Sequence, residues 1–248
     1  MTTSVNPFDG IDEKLQRAHD NILNLDREIK IFYKKYASRM RKKDDFDGMM
    51  KAVRDFRQQA IPLRFSVLAG EVIHHFRSCF DHIAWQLSSS EERRDHPLRI
   101  EFPIFEKTPV EKDEISSYNR KIKGILNLDA RKTIEQLQPY NGVNGSNFLI
   151  WVIHDMDRKD KHRELAIMAH IVKTGMSEKF FSTISPYVER DIPMPLHLAR
   201  EARDKMNLSP TVAFQDFGKP QNLHPVIDGL FKLETFTRSG VRLFEKYL

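Results

Sequence analysis

The sequence contains a single cysteine, Cys79, so no disulfide can form within the chain. This scarcity is typical of proteins that function in a reducing compartment. Cys79 lies beside an apolar stripe, and we expect a small buried side chain rather than a catalytic thiol. The opening residues, MTTSVNPFDG, have neither the basic nor the apolar region of a secretory signal. No apolar run approaches the roughly 18 residues of a membrane span. We therefore expect a cytoplasmic protein that has no membrane partner.

Glycine-rich phosphate-binding motifs are also missing. The sequence has no Walker loop, no G-x-G-x-x-G, no C-x-x-C and no G-x-S-x-G. These absences argue against P-loop hydrolysis, dinucleotide cofactors, zinc ribbons and serine hydrolases, and we expect no cofactor. The chain is mildly basic, with a net charge of +5 and a pI near 9.2. This balance permits a nucleic-acid partner without requiring one.

Hydrophobic spacing predicts mainly helical structure. From Ile11 to about Lys43, apolar residues recur in steps of three and four, which predicts one long helix in a bundle. The same spacing predicts further helices, which are Leu63–Leu87, most of Asp113–Gln138, Phe148–Glu164 and Leu223–Leu248. Met49–Gln59 is compatible with a short strand or a helical turn, and Ile100–Phe105 with an extended segment that covers the core. The expected helix caps are Asp129 and, before Phe148, Ser146 or Asn147.

Three segments between the last two predicted helices have the composition of strands. They are Leu165–Val172, Phe180–Val188 and Thr211–Phe217, which are short, rich in β-branched and aromatic residues, and flanked by glycine or proline. The predicted fold is therefore mainly α (α+β). Four to five long helices from residues 11–164 and 223–248 form a bundle, and a small antiparallel sheet is inserted at residues 165–217. We expect one domain over residues 1–248.

The helix predicted over Leu63–Leu87 carries two different stripes. One is apolar and must be buried. The other is polar, and its members with the polar residues beside it are Glu71, His74, His75, Arg77, Ser78, Asp81 and His82. A solvated helix face usually carries lysine and glutamate, whereas this one is rich in histidine. Its composition indicates a functional site or a polar interface.

Arg77 and His82 are the residues of this region best suited to RNA cleavage. A histidine near its ordinary pKa can transfer protons at neutral pH. An arginine can hold a phosphate and stabilise charge at phosphorus. Their spacing in the sequence puts them about 140° apart around a helix. We therefore expect them to line opposite walls of one groove, especially where two copies of the helix meet.

This R-x4-H motif, in a helix of a predicted bundle, resembles the HEPN superfamily, which includes ribonuclease toxins and phage-defence ribonucleases. The resemblance covers the Leu63–Leu87 helix and, more loosely, the first long helix. It implies a metal-independent endoribonuclease that acts as a homodimer with a composite active site. On that assignment His82 is the general acid/base, and Arg77 binds the scissile phosphate.

The neighbouring polar residues take supporting roles in this hypothesis. His75 and Glu71 orient His82 or the ribose 2′-hydroxyl, while Ser78 and His74 contact the RNA. Ser78 stands where the family often has asparagine, aspartate or histidine, and the inserted strands also depart from the minimal fold. A separate hypothesis is structural. In it, Arg77 and His82 bridge to carboxylates such as Glu71 and Asp81, and the stripe is the interface of a non-enzymatic antitoxin or regulatory module.

A second cluster of charged residues covers the end of the helix that begins at Phe148. The adjacent pair His154-Asp155 is typical of HD phosphohydrolases, whose further metal ligands would be His75 or His82 and Asp191. Nothing in the spacing selects those ligands.

The end of the same helix has two other interpretations. Lys161, His162 and Arg163 can oppose the helix dipole as part of an ion-paired helix end. If this helix and the Leu63–Leu87 helix are neighbours, the three residues can instead form a phosphate-binding wall near Arg77 and His82.

Overall fold

A computed structural model describes residues 6–42, 45–142, 148–175, 177–190, 192–219 and 222–248. The first helices are α1 Asp9–Met40, α2 Phe46–Arg57, α3 Leu63–Leu87, α4 Ser90–Asp95, α5 Lys112–Ile122, α6 Leu128–Gln136 and α7 Phe148–His162. The rest comprises β1 Ile167–Thr174, α8 Glu178–Arg190, α9 Leu196–Lys205, β2 Asn207–Phe214, β3 His224–Pro225 and α10 Val226–Arg242. The predicted mainly α fold with a small antiparallel sheet is confirmed. None of the helices in these ranges is long and apolar enough to cross a bilayer.

Helix α3 lies at the centre of the main core, because apolar residues cover most of its circumference. Its buried side chains include Ile73, Phe76, Phe80 and Ile83. Cys79 is also fully buried, as predicted, and burial raises the pKa of its thiol to about 12. Helices α1, α7 and α10 pack around α3 and complete this core.

A second hydrophobic cluster lies at the far end of α1. There Tyr36 and Met40 pack with α2, the sheet, α8 and α9. Helix α2 resolves the segment that the sequence left open between strand and helix. Asp45 caps it by accepting a hydrogen bond from the Gly48 backbone N–H at 2.8 Å. Its buried residues, which include Met49, Val53 and Phe56, recur at helical spacing.

The sheet has three strands in the order β1-β2-β3, and both pairings are antiparallel. Strands β1 and β2 contain most of the predicted strands at 165–172 and 211–217, with shifted ends. The third strand, β3, is only two residues long and lies beyond the predicted insertion. It occupies the start of the predicted last helix, which begins instead at Val226. Pro210 is part of β2 opposite Ile171.

The strand predicted over Phe180–Val188 is wrong, because this segment belongs to helix α8. Phe180, Phe181 and Ile184 recur at helical spacing and pack against the second cluster. Burial of that helical stripe overrides the strand preference of aromatic and branched side chains.

The predicted cap Asp129 is also wrong. Asn127 caps α6, and its side-chain oxygen accepts hydrogen bonds from the backbone N–H groups of Asp129 and Ala130 at 2.9 and 3.1 Å. Asp129 lies in the first turn and pairs with Lys132 at 2.9 Å. The predicted caps of α7, Ser146 and Asn147, lie outside the described residues.

Residues 100–105 form an extended segment, here called the strap, that crosses the main core. The strap has neither helix nor strand structure, as the sequence predicts. Phe102 and Ile104 are buried against the core. The backbone groups of the strap are therefore left to find partners among side chains of the helices.

Candidate functional site

The polar stripe of α3 is exposed between α1 and α7. Glu71 and His74 are exposed, and Ser78 is half-buried one turn further along. Val67 and Trp85, with 49% and 38% of their surface exposed, extend the same side of the helix. These five residues are called the outward face of α3. The predicted members His75 and His82 lie on its flank, towards α1.

His74 and Asp157 form a histidine–carboxylate pair at the centre of this face. The Nδ1 atom of His74 lies 2.9 Å from Oδ1 of Asp157. The Asp157 side chain is only 5% exposed, whereas that of His74 is 57% exposed. The other carboxylate oxygen pairs with Nζ of Lys161 at 2.6 Å. Because the buried carboxylate holds Nδ1, the remaining ring nitrogen is free to act towards solvent. A positioned imidazole of this kind is suited to general acid–base chemistry.

The close approach of α7 to α3 makes this pair possible. Gly70 faces Asp160 across the helix contact, and a Cβ added at Gly70 would overlap the Asp160 carboxyl group. One turn further along α3, the same antiparallel contact brings His74 to Asp157. Burial raises the pKa of Asp160, and repulsion by the Asp157 carboxylate raises it further.

Arg77 and His82 do not meet on the outward face. Arg77 is only 4% exposed and donates to Oδ1 of Asp81 at 2.5 Å and to the Phe102 carbonyl at 3.0 Å. Asp81 also accepts from the Phe102 backbone N–H at 2.9 Å. Burial raises the pKa of Asp81, and the Arg77 charge opposes that shift. The predicted pairing of Arg77 with Asp81 is thus confirmed, and its guanidinium group holds the strap.

His75 and His82 face α1 instead of Arg77. Burial lowers the pKa of both rings, and the charge of Lys14 lowers it further. The Nδ1 atom of His75 is buried and has no hydrogen-bond partner among the described residues. His82 lies beside Gly10. Both rings therefore favour the neutral form.

Glu71 does not pair with Arg77 or His82. Its carboxylate accepts a weak hydrogen bond from the side-chain amide of Asn21 on α1, at 3.5 Å. The predicted bridge from Glu71 to Arg77 or His82 is therefore wrong, because these side chains lie on different sides of α3.

Lys161, His162 and Arg163 are exposed at the end of α7. Helices α3 and α7 are neighbours, as the predicted phosphate-binding wall requires. Their antiparallel contact, however, puts this end of α7 beside Gly70. Gly70 precedes Arg77 by about 10 Å along the axis of α3. Lys161 therefore lies beside the His74–Asp157 pair, rather than beside Arg77 and His82. Arg163 lines a separate pocket with Phe214 and Gln215.

The HD phosphohydrolase hypothesis has no support in the described residues. His154 packs against Trp151, and its pKa is lowered to about 4 by burial, with further lowering by Arg77 and Lys121. Asp155 is buried and pairs with Arg158 and Lys159 at 3.1 and 2.7 Å. The described ranges contain no group of three His, Cys, Asp or Glu side chains placed to hold a metal. Asp191 lies outside those ranges.

Asp157 has no role of its own in the hypotheses drawn from the sequence, although the pattern of α7 indicates that it is buried. Asp157 follows Met156 and lies one turn beyond Ile153, both of which belong to the buried stripe of α7. A carboxylate beside such a stripe is expected to be buried, and a buried carboxylate needs partners. His74 and Lys161 are those partners.

Comparison of the chain with protein-family models, curated proteins and solved structures found no match in any of the three. The chemistry of the outward face must therefore be inferred from its own side chains.

Proposed function

We propose that the outward face of α3 is the active face of a metal-independent endoribonuclease, similar to HEPN ribonucleases, that acts as a homodimer in the cytoplasm. One observation carries this proposal, namely the exposed His74 ring held at Nδ1 by the buried Asp157 carboxylate. In this proposal His74 is the general base. Lys161, which shares the Asp157 carboxylate with His74, supplies positive charge beside it for the scissile phosphate.

RNA suits this site because the substrate brings its own nucleophile. His74 takes the proton of the ribose 2′-hydroxyl, and the 2′-oxygen forms a bond to the adjacent phosphorus. The bond from phosphorus to the 5′-oxygen breaks, and a general acid protonates the leaving oxygen. The products are a 2′,3′-cyclic phosphate and a 5′-hydroxyl. The protein then needs no activated thiol, which agrees with the buried, protonated state of Cys79.

A second copy of the chain is proposed to supply the general acid. The exposed apolar side chains Val67 and Trp85 extend the outward face on both sides of its polar centre. Contact between two such faces would bury these apolar groups and bring two sets of histidines together. This arrangement retains the composite site implied by the resemblance. The general-base role passes from His82 to His74, and Arg77 becomes a structural residue.

The test is cleavage of a broad RNA pool by purified protein in excess chelator. The parent is compared with His74→Ala, Asp157→Asn and His82→Ala, with His197→Ala as the control at an exposed histidine of α9. Removing a general base is expected to lower the rate by about 100-fold or more. We expect that loss for His74→Ala, a smaller one for Asp157→Asn and none for His197→Ala. The products should carry 2′,3′-cyclic phosphates.

Other outcomes separate the parts of this proposal. Full activity in His74→Ala with none in His82→Ala would overturn the assignment of the base and favour the R-x4-H motif. The absence of cleavage by the parent would overturn the ribonuclease itself.

A non-enzymatic interaction module is the second candidate function. The observation in its favour is that Arg77 is fully engaged with Asp81 and the strap, while Val67 and Trp85 remain exposed. The outward face would then bind an antitoxin-type or regulatory partner. Light scattering after size exclusion separates the two proposals in part, because a strictly monomeric protein contradicts the composite ribonuclease site.

A further inference from the structure

The C-terminal half of α1 concentrates the positive charge of the chain. Residues 27–42 contain seven lysines and arginines but only one carboxylate, Glu28, so the net charge of this segment, +6, exceeds the net charge of +5 of the whole chain. Several of these cations stand one turn apart, such as Lys30 and Lys34. Like charges at that spacing destabilise a helix. An external anion would relieve this repulsion.

Four of these cations line one groove on the surface of α1. Arg27, Lys30, Lys34 and Arg41 lie along it, and Ile31 and Tyr33 form its apolar part. The groove has a volume of about 500 Å³. From Arg27 to Arg41 it follows the helix for about 21 Å.

Most of the positive charge in this groove has no carboxylate partner among the described residues. Lys30 pairs with Asp26 at 2.5 Å. Arg27 contacts only the amide oxygen of Asn24, at 3.4 Å. Lys34 and Arg41 are exposed, and no carboxylate of the described ranges lies within ion-pair distance of either. Three cations are thus available to an external ligand.

We propose that this α1 groove binds single-stranded RNA. Spaced cations along about 21 Å of helix can follow a phosphate backbone, and an aromatic ring beside them gives the bases a stacking surface. Tyr33, which is half-buried against the core and lines the groove, provides that ring, and Ile31, which is 67% exposed, provides adjoining apolar surface. The choice of RNA rests on the proposed function, whereas binding itself does not require cleavage.

An anionic membrane is a weaker match for the same groove. The opposite side of these helical turns, which includes Ile29, Tyr36 and Met40, is buried in the protein core. Helix α1 therefore has no free apolar face to insert into a lipid surface. Only Ile31 projects from the groove as an exposed apolar side chain.

The test is fluorescence anisotropy with a labelled 20-nucleotide oligouridylate in excess chelator at about 0.1 M salt. Its 2′-hydroxyls are methylated, so that the proposed ribonuclease cannot cleave the probe while binding is measured. The parent is compared with the double variant Lys34→Glu/Arg41→Glu. Each phosphate contact to a single strand contributes about 0.7 to the slope of log affinity against log salt. Losing two contacts therefore weakens binding by about 25-fold at 0.1 M salt and makes the slope shallower by about 1.4. Both substitutions are at exposed positions, and an unchanged melting temperature would show that folding is retained.

The matched control is Arg200→Glu/Lys232→Glu, which makes the same change in net charge at exposed positions of α9 and α10. We expect the control to bind RNA within about twofold of the parent. Equal losses in the two double variants would overturn the groove and indicate an effect of net charge. Tighter binding of the parent to phosphatidylserine vesicles than to RNA would overturn the choice of ligand.

The His74→Ala protein keeps the failures of the two proposals apart. It should bind the oligouridylate as the parent does, since His74 is not part of the groove. RNA binding without cleavage by the parent would leave the groove standing and remove the ribonuclease. Cleavage by the parent, with RNA binding that does not depend on Lys34 and Arg41, would leave the ribonuclease standing and remove the groove.

Discussion

Replacement of Arg77 by alanine is expected to destabilise the protein strongly. The guanidinium group is buried and bonds both the Asp81 carboxylate and the Phe102 carbonyl. Removing Arg77 leaves the buried Phe102 carbonyl without its donor and leaves the Asp81 carboxylate, whose side chain is 35% exposed, without its counter-charge. Together these losses cost about 2–4 kcal/mol. In a chain of this size each kcal/mol corresponds to about 2–4 °C in melting temperature. The expected fall for Arg77→Ala is therefore roughly 4–16 °C.

Thermal and urea unfolding of the purified variant measure this effect. The control is Arg94→Ala, which removes an arginine whose side chain is 74% exposed and pairs with Asp95. Solvent screens an exposed pair of this kind, so we expect Arg94→Ala to leave the unfolding midpoints nearly unchanged. If Arg77→Ala were as stable as Arg94→Ala, the structural role of Arg77 would be refuted. Its guanidinium group would then be available for phosphate binding, as the R-x4-H motif implies.

Three further predictions concern other parts of the core. The His154 pKa is lowered to about 4, so below its ordinary value near 6.5 the unfolded chain binds more protons than the folded one. The contribution of His154 to the free energy of unfolding should be fully present above about pH 6.5. It should fall by up to about 1.4 kcal/mol per pH unit towards pH 4. The urea midpoints of the parent and of His154→Gln should therefore converge over that pH window. Gly70→Ala should force the Asp160 side chain into another rotamer, and the cost of that move should offset the roughly 1 kcal/mol that the same change gains in an unobstructed helix, so urea unfolding should show no stabilisation. Cys79 should resist a thiol-reactive disulfide reagent at pH 8 in the folded protein and react at once in denaturant, and rapid reaction of the folded protein would contradict its burial.

Local periodicity was enough to predict the long helices. The stripe of α1, which includes Leu15, Ile22 and Ile29, is buried as its spacing indicates. Such patterns depend only on residues within a few turns of one another. Helix α8 shows the limit of predicting structure from composition. Its aromatic residues favour a strand, but burial of its helical stripe against the second cluster outweighs that preference. Strand β3, with two residues, is too short to have a pattern of its own.

The histidine–carboxylate pair could not be predicted in the same way. His74 and Asp157 are 83 residues apart, and the register of α7 on α3 decides whether they meet. That register depends on the close contact at Gly70, which has no periodic signal. The spacing of Arg77 and His82 gave their angle around α3 correctly. It did not show which side of α3 the rest of the chain would cover. The strap covers the Arg77 side and turns a predicted phosphate ligand into a structural residue.

The hydrogen bonds of the strap have a consequence for its motions. Arg77 and Asp81 bond the carbonyl and N–H of Phe102, while Gln138 bonds the Pro103 carbonyl and the Phe105 N–H at 2.8 and 3.0 Å. All of these partners are side chains, so a change of rotamer can release the strap without unwinding a helix. Its amide protons would then exchange with solvent in a local opening that costs less than global unfolding. The strap can thereby open separately, while the helices of the main core stay folded.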